Sequence, residues 1–364
     1  MRLLTAVEQA GPATGAAVAA FQMARELAGR GYDLDLLYMQ DGAYLRAWQQ
    51  LCRTVTQVAK LDVYGLRHDG PTLHRLVPAV RAGRRAQPDL VWDNRYWSLP
   101  VSRAVAGRRL PVVCHSHGFV DPPAKTDRLL TRLADLFVAV SDYNRDCLVE
   151  RGADVTRVRV VYKGIDPASY PAGGDVESAR ARAALGLPAD AFVVLYFGRL
   201  HPSKGIEVLA DAVGQLPGDV ELVMAGPHER EDYVAELRRR ARGRAHVLGL
   251  RTDVVTPLHA ADVVVVPTIG MEAFGRTIIE GMATGRPVLG SQVGGIPEIL
   301  TGRFARFLFP RGDVAALAAK LAEMRSWRAD EPELALACTR HVQENFTMTQ
   351  TIDGLEEVLR EAAR

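Results

Sequence analysis

The sequence predicts an α/β protein made of two doubly wound, parallel-sheet domains of the Rossmann type. Short apolar, β-branched runs alternate along the chain with amphipathic stretches, which is the pattern of repeated βα units. The runs are apolar throughout, as is typical of parallel strands that helices cover on both faces. With 364 residues, the chain is also long enough for two domains of ordinary size.

The predicted strands follow one another in two series. The first series is Leu3–Val7, Leu34–Tyr38, Leu90–Trp92, Val112–Cys114, Phe137–Val140 and Val158–Tyr162. The second series is Phe192–Phe197, Glu221–Met224, Val247–Leu248, Val263–Val266 and Val288–Gly290. Apolar residues recur at near-helical spacing in the stretches between strands, so Gly15–Arg30 is expected to be a helix, as is the final segment Met348–Ala363.

Turn- and linker-forming Pro and Gly residues interrupt this pattern at about residues 166–190. The domains predicted from this break are an N-terminal domain at 1–165, a linker with a helix at 166–190, and a C-terminal domain at 191–345. Residues 346–364 are expected to form a helix that packs back on the N-terminal domain. Ligands of such sheets bind at the carboxyl ends of the strands, so a ligand site is expected in the cleft between the domains.

Composition excludes several classes of protein. Hydrophobic residues make up 48% of the chain and charged residues 24%, which is ordinary for a globular protein and unlike a disordered one. No apolar run approaches the roughly 20 residues of a membrane span, and the apolar start is too short for a secretory signal. A cytoplasmic protein is therefore expected. The net charge of +2 does not indicate a nucleic-acid partner, and the mildly basic first half leaves peripheral membrane contact open.

Neither the cysteines nor the acidic pairs predict a metal site or a disulfide framework. Asp33-Leu34-Asp35 has D-x-D spacing, but it lies at the start of a predicted strand without the converging oxygens that hard cations need. No metal is expected. No C-x-x-C pair occurs, so buried, reduced thiols are expected at all four cysteines: Cys52, Cys114, Cys147 and Cys338.

The first candidate ligand site follows the predicted strand Phe192–Phe197. Gly198 permits a tight turn there, and Arg199 and Lys204 flank the start of a helix predicted near Ser203. A helix N-terminus offers unpaired N–H groups and the positive end of a dipole, to which Arg adds a fork of donors and Lys a mobile charge. This combination predicts a diphosphate site that needs no metal.

The second candidate site follows the strand Val263–Val266. Glu272 lies in the turn, and Glu280 lies two turns into the predicted helix Gly275–Gly285. Loop carboxylates can accept directional hydrogen bonds from sugar hydroxyls. Glu280 is surrounded by apolar residues, where a carboxylate is costly unless it is hydrogen-bonded. Two glutamates at this spacing are by themselves a weak indication of function.

The order of these motifs resembles a known enzyme family. The motifs are Glu272 to Glu280, then Pro287-Val288 and Gly294-Gly-Ile-Pro-Glu298, preceded by Gly198-Arg199, Lys204-Gly205, Ala225-Gly226-Pro227 and Val161–Asp166. They are similar to the E-x7-E signature and accompanying motifs of retaining nucleotide-sugar glycosyltransferases of family 4, which have the GT-B fold. The resemblance covers nearly the whole chain and is strongest over 155–300.

The resemblance implies a role for each matching residue of the donor site. Arg199 and Lys204 match the pair that binds the donor diphosphate and stabilises the leaving nucleotide. Glu280 matches the carboxylate that binds the ribose, and Glu272 matches the group that holds the sugar hydroxyls. The donor-binding residues implied are Thr14, Gly15, Gly198, Arg199, Lys204, Leu250, Arg251, Glu272, Ala273, Phe274, Gly275 and Glu280. Leu250 and Arg251 match the segment that meets the nucleobase.

Two positions depart from the family pattern. Thr14 stands where the first glycine of a Gly-Gly-Ala loop is usual, and Lys163 stands where Asn is usual before Gly164. The resemblance implies that Thr14 affects how closely the backbone approaches the donor. It implies that Lys163 affects the hinge between the domains.

His115 and His117 follow the strand Val112–Cys114, and alternation in extended backbone places both on one face. The family places a histidine just before a glycine here, which matches His117 before Gly118. The resemblance therefore implies that His117 faces the anomeric region of the donor and joins Arg199, Lys204 and Glu272 as a catalytic residue. His115 either supports His117 or packs in the core.

The acceptor is expected to bind after the strand Leu90–Trp92. Aromatic faces there suit a sugar or cyclitol ring, and Asp93 is placed to orient or deprotonate an acceptor hydroxyl. The alternative is that the tryptophans pack against the following helix. The candidate acceptor-binding residues are Trp92, Asp93, Asn94, Trp97 and His115, with Asp121 and Lys125 as weaker candidates.

The resulting expectation is a metal-independent, retaining glycosyltransferase without a cofactor. It would move a hexose from a UDP-sugar or GDP-sugar to a hydroxyl of a small hydrophilic acceptor. The Ala- and Arg-rich composition indicates a GC-rich bacterial genome, in which antibiotic biosynthesis is one setting. The alternatives are a lipid or polysaccharide acceptor, a nucleotide-sugar epimerase or hydrolase on the same fold, and a sensor that binds without turnover.

Overall fold

The computed structural model describes residues 1–11, 14–62, 73–119, 123–124, 126–228 and 230–364. The chain divides into two compact units. Unit 1 comprises Met1–Lys163 together with Met348–Arg364, and unit 2 comprises Gly164–Thr347.

All the strands of the described residues belong to two parallel sheets. Unit 1 contains β1 (Arg2–Gln9), β2 (Asp33–Gln40), β3 (Thr54–Gln57), β4 (Leu90–Asp93), β5 (Val112–Ser116), β6 (Leu136–Ala139) and β7 (Val158–Val160). Unit 2 contains β8 (Phe192–Phe197), β9 (Val220–Ala225), β10 (Ala245–Gly249), β11 (Val263–Val266), β12 (Val288–Ser291) and β13 (Leu308–Phe309).

Helices alternate with these strands. The first six are α1 (Gly15–Gly29), α2 (Leu45–Leu51), α3 (Val77–Ala86), α4 (Leu99–Ala106), α5 (Asp127–Leu130) and α6 (Asp142–Glu150). The next five are α7 (Asp175–Leu185), α8 (Ile206–Gln215), α9 (Glu231–Arg240), α10 (Val255–Ala260) and α11 (Arg276–Ala283). The last five are α12 (Ile296–Ile299), α13 (Val314–Glu323), α14 (Trp327–Asp330), α15 (Leu334–Asn345) and α16 (Met348–Ala362).

Both sheets have the doubly wound topology that the sequence predicts. Within the described residues the order is β3-β2-β1-β4-β5-β6-β7 in unit 1 and β10-β9-β8-β11-β12-β13 in unit 2. The strand order therefore reverses next to β1 in the first sheet and next to β8 in the second. Such switch points are where open parallel sheets bind ligands, beyond the carboxyl ends of the strands.

Burial on both faces explains why the strands are apolar throughout. The four valines of β11 are all buried. In unit 1 the neighbours Leu3 and Leu4 of β1 contribute to different apolar clusters, as expected when successive side chains point to opposite faces. Ile352 and Leu355 of α16 pack in the same cluster as Leu3, so the C-terminal helix covers one face of the first sheet.

The predicted strands Phe192–Phe197 and Val263–Val266 are confirmed at both ends. Four other strands begin at the predicted residue, and the remaining strand ends differ from the prediction by one or two residues. The sequence does not predict the edge strands β3 and β13. Thr54–Gln57 is mostly polar because an edge strand needs less apolar surface, and β13 has only two residues. The segment predicted as a linker, 166–190, contains a 3₁₀ turn at Pro167–Ser169 and helix α7.

None of the helices in the described ranges is both long and apolar enough to cross a membrane. The cysteines are confirmed as buried and free of disulfides.

Candidate functional site

The loops that follow β8 and β11 are joined through their backbones at the switch point of the second sheet. The carbonyl oxygen of Ser203 accepts hydrogen bonds from the N–H groups of Ile269 at 3.2 Å and Gly270 at 2.7 Å. Gly205 has a left-handed φ of +67°, and a Cβ there would lie 2.0 Å from the carbonyl oxygen of Pro267. Only glycine fits this close approach, which places the two loops side by side.

This arrangement brings Lys204 and Glu272 into contact. Lys204 Nζ donates to Glu272 Oε2 at 2.7 Å, and the two side chains remain 27% and 19% exposed. Thr268 Oγ1 lies 3.5 Å from the same carboxylate oxygen. A partly buried ion pair is screened less by salt than a surface pair. Because both side chains are partly exposed, a ligand can reach them. Because they are also partly buried, their attraction for a charged ligand is screened less than at the surface.

The glycines of the Gly294-Gly-Ile-Pro motif hold the Glu272 loop from the other side. Gly295 N–H donates to the carbonyl oxygen of Glu272 at 2.9 Å. Gly294 has a φ of +58°, and a Cβ there would lie 1.9 Å from the same oxygen. These two glycines therefore serve a close backbone contact that fixes the position of the Glu272 loop.

The N-terminus of α11 lies at the same edge of the sheet. Gly275 precedes the helix with a φ of +103°, and Thr277 Oγ1 donates to the carbonyl oxygen of Phe197 at the end of β8, at 3.2 Å. A helix start presents free N–H groups and the positive end of the helix dipole. The end of β8 and this anion-attracting helix start are therefore neighbours.

Arg199 is exposed, and its backbone is held in place. The carbonyl oxygen of Arg199 accepts a hydrogen bond from the Tyr196 hydroxyl at 2.7 Å. Gly198 before it has a φ of +151°, and a Cβ at Gly226 would lie 1.9 Å from the carbonyl oxygen of Gly198. The loops after β8 and β9 are therefore also in close contact, and the guanidinium of Arg199 extends from a fixed backbone into solvent.

Glu280 is buried, with 6% exposure, and has the hydrogen-bond partners that this position requires. Its Oε1 accepts from the Tyr170 hydroxyl at 2.9 Å and from Arg276 Nε at 2.7 Å. Burial and the nearby Glu280 charge raise the pKa of Tyr170. Burial lowers the pKa of Arg276, but the contacts with Glu280 and Tyr170 together raise it by more, so the guanidinium stays charged.

The other predicted donor residues of unit 2 have different surroundings. Leu250 is 67% exposed directly after β10, and Arg251 lies 3.9 Å from the carboxylate of Asp253. Phe274 is buried and packs edge-to-face on Phe346 with ring centres 6.0 Å apart. Phe274 therefore anchors the loop in the core of unit 2, while Leu250 is available at the surface. Ala273 is half-buried between Glu272 and Phe274.

In unit 1, Thr14 is the N-cap of α1. Its side-chain oxygen accepts from Ala17 N–H at 3.1 Å, which satisfies one of the free donors at the helix start. The threonine in place of the usual glycine therefore has a local structural reason. Gly15 is exposed, and apart from its chain neighbours no atom of the described residues lies within 4 Å of where its Cβ would be.

His115 and His117 lie on one face, as predicted. Their rings stack with centres 4.5 Å apart and planes 15° apart. Burial, with the charge of Lys163 as a second cause, lowers the pKa of His115 to about 3 and that of His117 well below its ordinary range. Both rings are therefore neutral at neutral pH. His117 Nε2 lies 3.0 Å from Asn94 Oδ1.

Trp92 and Asp93 are inside unit 1. Trp92 is fully buried in the apolar cluster that contains Leu3. This burial favours the alternative that the tryptophan has a packing role. The buried Asp93 carboxylate accepts from Ser98 Oγ at 2.7 Å, Ser102 Oγ at 2.6 Å and Arg95 N–H at 3.0 Å, and burial raises its pKa. Asp93 thus stabilises the start of α4 and does not face solvent, which corrects the expectation that it meets an acceptor hydroxyl.

The remaining acceptor candidates divide between the surface and the part of the chain that is not described. Trp97 is half-buried and packs edge-to-face on Tyr96, with ring centres 5.3 Å apart. Asp121 and Lys125 lie outside the described residues.

A cavity of about 290 Å³ lies at the carboxyl edge of the first sheet, beside the start of α1. Arg95 contributes to its wall and donates to Glu8 Oε2 and Asp62 Oδ2, both at 2.5 Å. Asn94 and Ala17 also line it. Sequence reasoning missed Glu8, Arg95 and Asp62, because partners 87 and 33 residues apart give no local pattern. The only available signal was that Arg95 follows a strand end.

Among the described residues, no three His, Cys, Asp or Glu side chains form a group suited to a metal ion. Asp33 opens β2, and Asp35 is buried and accepts from Thr54 Oγ1 at 2.6 Å. The D-x-D sequence is therefore part of the sheet, and metal independence of the reaction stays a prediction.

Both units match models of glycosyltransferase families. Residues 13–169 match the family described as Glycosyltransferase Family 4, and residues 191–326 match Glycosyl transferases group 1. The D-inositol 3-phosphate glycosyltransferase of Mycolicibacterium vanbaalenii is 28% identical over 395 aligned positions, covering 95% of this chain and 84% of that protein. The protein of the same name from Mycobacterium tuberculosis is 34% identical over 188 residues, which are 49% of this chain and 38% of that protein.

Solved structures agree with these matches. HepE from Anabaena, determined in complex with UDP and glucose, superposes with a TM-score of 0.85 at 25% identity and 99% coverage of both chains. Sucrose-phosphate synthase from Thermosynechococcus elongatus shares the fold with a TM-score of 0.81 at 22% identity, covering 99% of this chain and 98% of that one. The fold and the matches define a glycosyltransferase of the GT-B type. The two family models, the relatives and the solved structures together support a glycosyltransferase of family 4.

The contact between Gly205 and Pro267 can be tested with a matched pair of glycines. Gly205 and Gly186 have nearly the same left-handed backbone, with φ of +67° and +66°, but no atom lies within 4 Å of a Cβ at Gly186. We expect Gly186→Ala to lower the free energy of unfolding by about 1 kcal/mol, because alanine is strained in the left-handed backbone region. Gly205→Ala should cost about 3 kcal/mol or more, since a clash is added. Urea unfolding measures both, and equal losses would contradict the close approach.

The buried His115 predicts a specific acid sensitivity. Its pKa is lowered from 6.5 to about 3 in the folded protein, so its contribution to stability is complete above pH 6.5 and is lost as the pH falls toward 3. His115→Phe should reduce the loss of unfolding free energy between pH 6.5 and 4 by up to about 1.4 kcal/mol per pH unit. Urea unfolding at several pH values measures this slope. The exposed His74→Gln serves as control, and parallel curves for His115→Phe and the parent protein would refute the expectation.

Proposed function

We propose that this protein is a retaining hexosyltransferase that uses a UDP-sugar, with a GDP-sugar as the alternative donor, and a hydroxyl of a small hydrophilic acceptor. The contact between Lys204 and Glu272 is the observation that carries this proposal. It places a cation and a carboxylate 2.7 Å apart at the switch point of the second sheet. A nucleotide sugar needs this combination, because its diphosphate and its sugar hydroxyls are adjacent.

Donor binding exchanges one ion pair for another. The diphosphate offers Lys204 a stronger counter-charge than Glu272 does, so the ammonium can bind phosphate oxygens. The Glu272 carboxylate is then free to accept hydrogen bonds from sugar hydroxyls. Arg199, which is exposed in the loop after β8, and the N-terminus of α11 supply further positive charge. Charge that develops on the departing diphosphate is thus stabilised by the chain itself.

The nucleoside part is assigned to two further groups. Glu280 Oε1 is engaged by Tyr170 and Arg276, and we assign Oε2 to the ribose hydroxyls. Leu250 and Arg251 follow β10 at the same edge of the sheet and are assigned to the base. UDP is favoured because HepE, at 25% identity, was determined with UDP and glucose.

We assign the acceptor to the cavity of unit 1. The guanidinium of Arg95, in the wall of the cavity, is balanced by the carboxylates of Glu8 and Asp62. Little positive charge therefore remains to bind an anionic acceptor. This charge pattern favours a neutral polyol over a phosphorylated acceptor, although the relative at 28% identity is named for inositol 3-phosphate. Secondary metabolites with a sugar or cyclitol ring fall in this class.

The proposed chemistry is a displacement on one face of the sugar. The bond between the anomeric carbon and the diphosphate oxygen breaks, and the acceptor oxygen bonds to the same face. The acceptor proton passes to the departing phosphate oxygen, so the products are a retained glycoside and the nucleoside diphosphate. Family membership supports this stereochemistry. The anomeric configuration in the proton NMR spectrum of the product tests it, and an inverted product would rule it out.

The overall proposal is tested by incubating the protein with UDP- and GDP-hexoses, with and without a panel of polyols, followed by mass spectrometry. A glycosylated polyol with release of UDP supports the proposal. An altered sugar or free nucleotide from the donor alone would instead show an epimerase or a hydrolase. Repeating the reaction in EDTA tests metal independence, and loss of activity that Mn²⁺ or Mg²⁺ restores would contradict it.

The donor assignment predicts a large effect at Lys204. Removing a group that stabilises developing charge typically costs about 100- to 1,000-fold in turnover, so we expect a fall of this size in kcat for Lys204→Met. Glu272→Gln should mainly raise the KM of the donor, since it removes acceptors for the sugar hydroxyls. The exposed Arg238→Met in α9 is the control for loss of a positive charge. Steady-state UDP release measures all three, and normal kcat in Lys204→Met would refute the assignment.

The acceptor assignment predicts a separation of the two substrates at Ala17. Leucine at this position keeps the helix and projects into the cavity that Ala17 lines. We expect Ala17→Leu to raise the acceptor KM by about tenfold or more, equivalent to about 1.4 kcal/mol of binding, while the donor KM is unchanged. Gly29→Ala in the same helix, with no atom within 4 Å of the new Cβ, is the control. An unchanged acceptor KM would place the acceptor elsewhere.

A further inference from the structure

Asn94 joins His117 to the middle of the first sheet. Asn94 Nδ2 donates to Thr5 Oγ1 at 2.9 Å, and Asn94 Oδ1 lies 3.0 Å from His117 Nε2. Thr5 belongs to β1, Asn94 follows β4 and His117 follows β5, and these three strands are neighbours in the sheet. Thr5 is 1% exposed and Asn94 is 9% exposed, so the two hydrogen bonds lie in surroundings where an unpaired polar group is costly.

The direction of these hydrogen bonds determines the tautomer of His117. A primary amide has donors only on nitrogen and acceptors only on oxygen. Since Nδ2 of Asn94 donates to Thr5, its Oδ1 faces the imidazole and must accept a hydrogen bond from Nε2–H. The lone pair of the neutral ring is therefore on Nδ1. That atom is buried and has no hydrogen-bond partner among the described residues.

The imidazole ring of His117 is also in stacking contact through one face. His115 stacks on His117 with ring centres 4.5 Å apart. His115 and Lys163 are the titratable groups that face His117 among the described residues, and both oppose a positive charge on it. Asn94 also lines the cavity of unit 1, so the hydrogen-bonded chain connects His117 to the wall of that cavity.

We propose that Asn94, itself oriented by Thr5, is a positioning residue that fixes His117 as the neutral Nε2–H tautomer in a single ring orientation. The catalytic part of this inference rests on the proposed function, since it assumes that His117 contacts the substrate. In this arrangement His117 contributes a fixed, neutral ring and does not transfer protons during turnover. The role proposed for Asn94 is thus exerted through His117, and its direct contact with an acceptor stays a prediction.

The tautomer is tested by long-range ¹H–¹⁵N NMR of protein labelled at histidine, with His117 assigned from the spectrum of His117→Gln. The expected parent spectrum shows the Nε2–H pattern for His117, unchanged between pH 7 and pH 5. Thr5→Val removes the acceptor that orients Asn94 and leaves the cavity wall intact, so a mixture of tautomers or an Nδ1–H pattern is expected. Thr5→Ser keeps the hydroxyl and should restore the parent pattern.

Kinetics test the consequence for turnover. Misplacing a group in the reacting geometry costs up to about 100-fold, so Thr5→Val should lower kcat at least about tenfold with the donor KM little changed, and Thr5→Ser should recover it. Asn94→Asp places a carboxylate against Nε2 and favours the imidazolium. It should introduce an ionisation between about pH 5 and 8, seen both in the His117 NMR signals and in the pH profile of kcat.

An Nδ1–H pattern in the parent protein, or a Thr5→Val spectrum identical to the parent, would overturn the proposal. Equal kcat losses in Thr5→Val and Thr5→Ser would also overturn it, because they would indicate a purely structural effect of the site. If the protein proves to have no transferase activity, the NMR measurements still decide whether Asn94 fixes the tautomer. Failure of the inference is thereby distinguishable from failure of the proposed function.

Discussion

The carbonyl oxygen of Ser203, which accepts hydrogen bonds from Ile269 and Gly270, is the contact on which the candidate donor site depends. It joins the loops that follow β8 and β11, which are adjacent strands of one sheet. In the sequence these loops are 60 or more residues apart. The joined loops determine that a lysine from one meets a glutamate from the other. Side-chain chemistry at the site is thus a consequence of backbone hydrogen bonding, and the glycines around it are needed because the backbones approach so closely.

The two units share a second feature, which is the balance of their partly buried charges. Partly buried ionic groups in both units are paired within the chain, which avoids the cost of an isolated charge in a region poor in water. The groups concerned are Lys204 with Glu272, Glu280 with Arg276 and Tyr170, and Arg95 with Glu8 and Asp62.

Much of the donor site could be predicted, and much of the acceptor region could not. Lys204 and Glu272 lie in motifs that follow strands, and parallel topology brings strand ends to one edge. Asp93 also follows a strand, yet its carboxylate is turned inward. Ser98 and Ser102 on the next helix supply its hydrogen bonds. No local pattern distinguishes a carboxylate that accepts hydrogen bonds from serines of the next helix from one that meets a ligand, since both follow a strand and precede a helix.

By itself the sequence determined the two series of βα units, the strand bounds to within one or two residues and the residue types at the candidate donor site. These depend on short-range properties: continuous apolar runs, helical periodicity and turn residues. Only the tertiary structure decided which groups are partners, as when Thr5, Asn94 and His117 form one hydrogen-bonded chain across three strands. The physical reason is that hydrogen bonds and ion pairs are made between atoms a few ångströms apart, and distance along the chain carries almost no information about that separation.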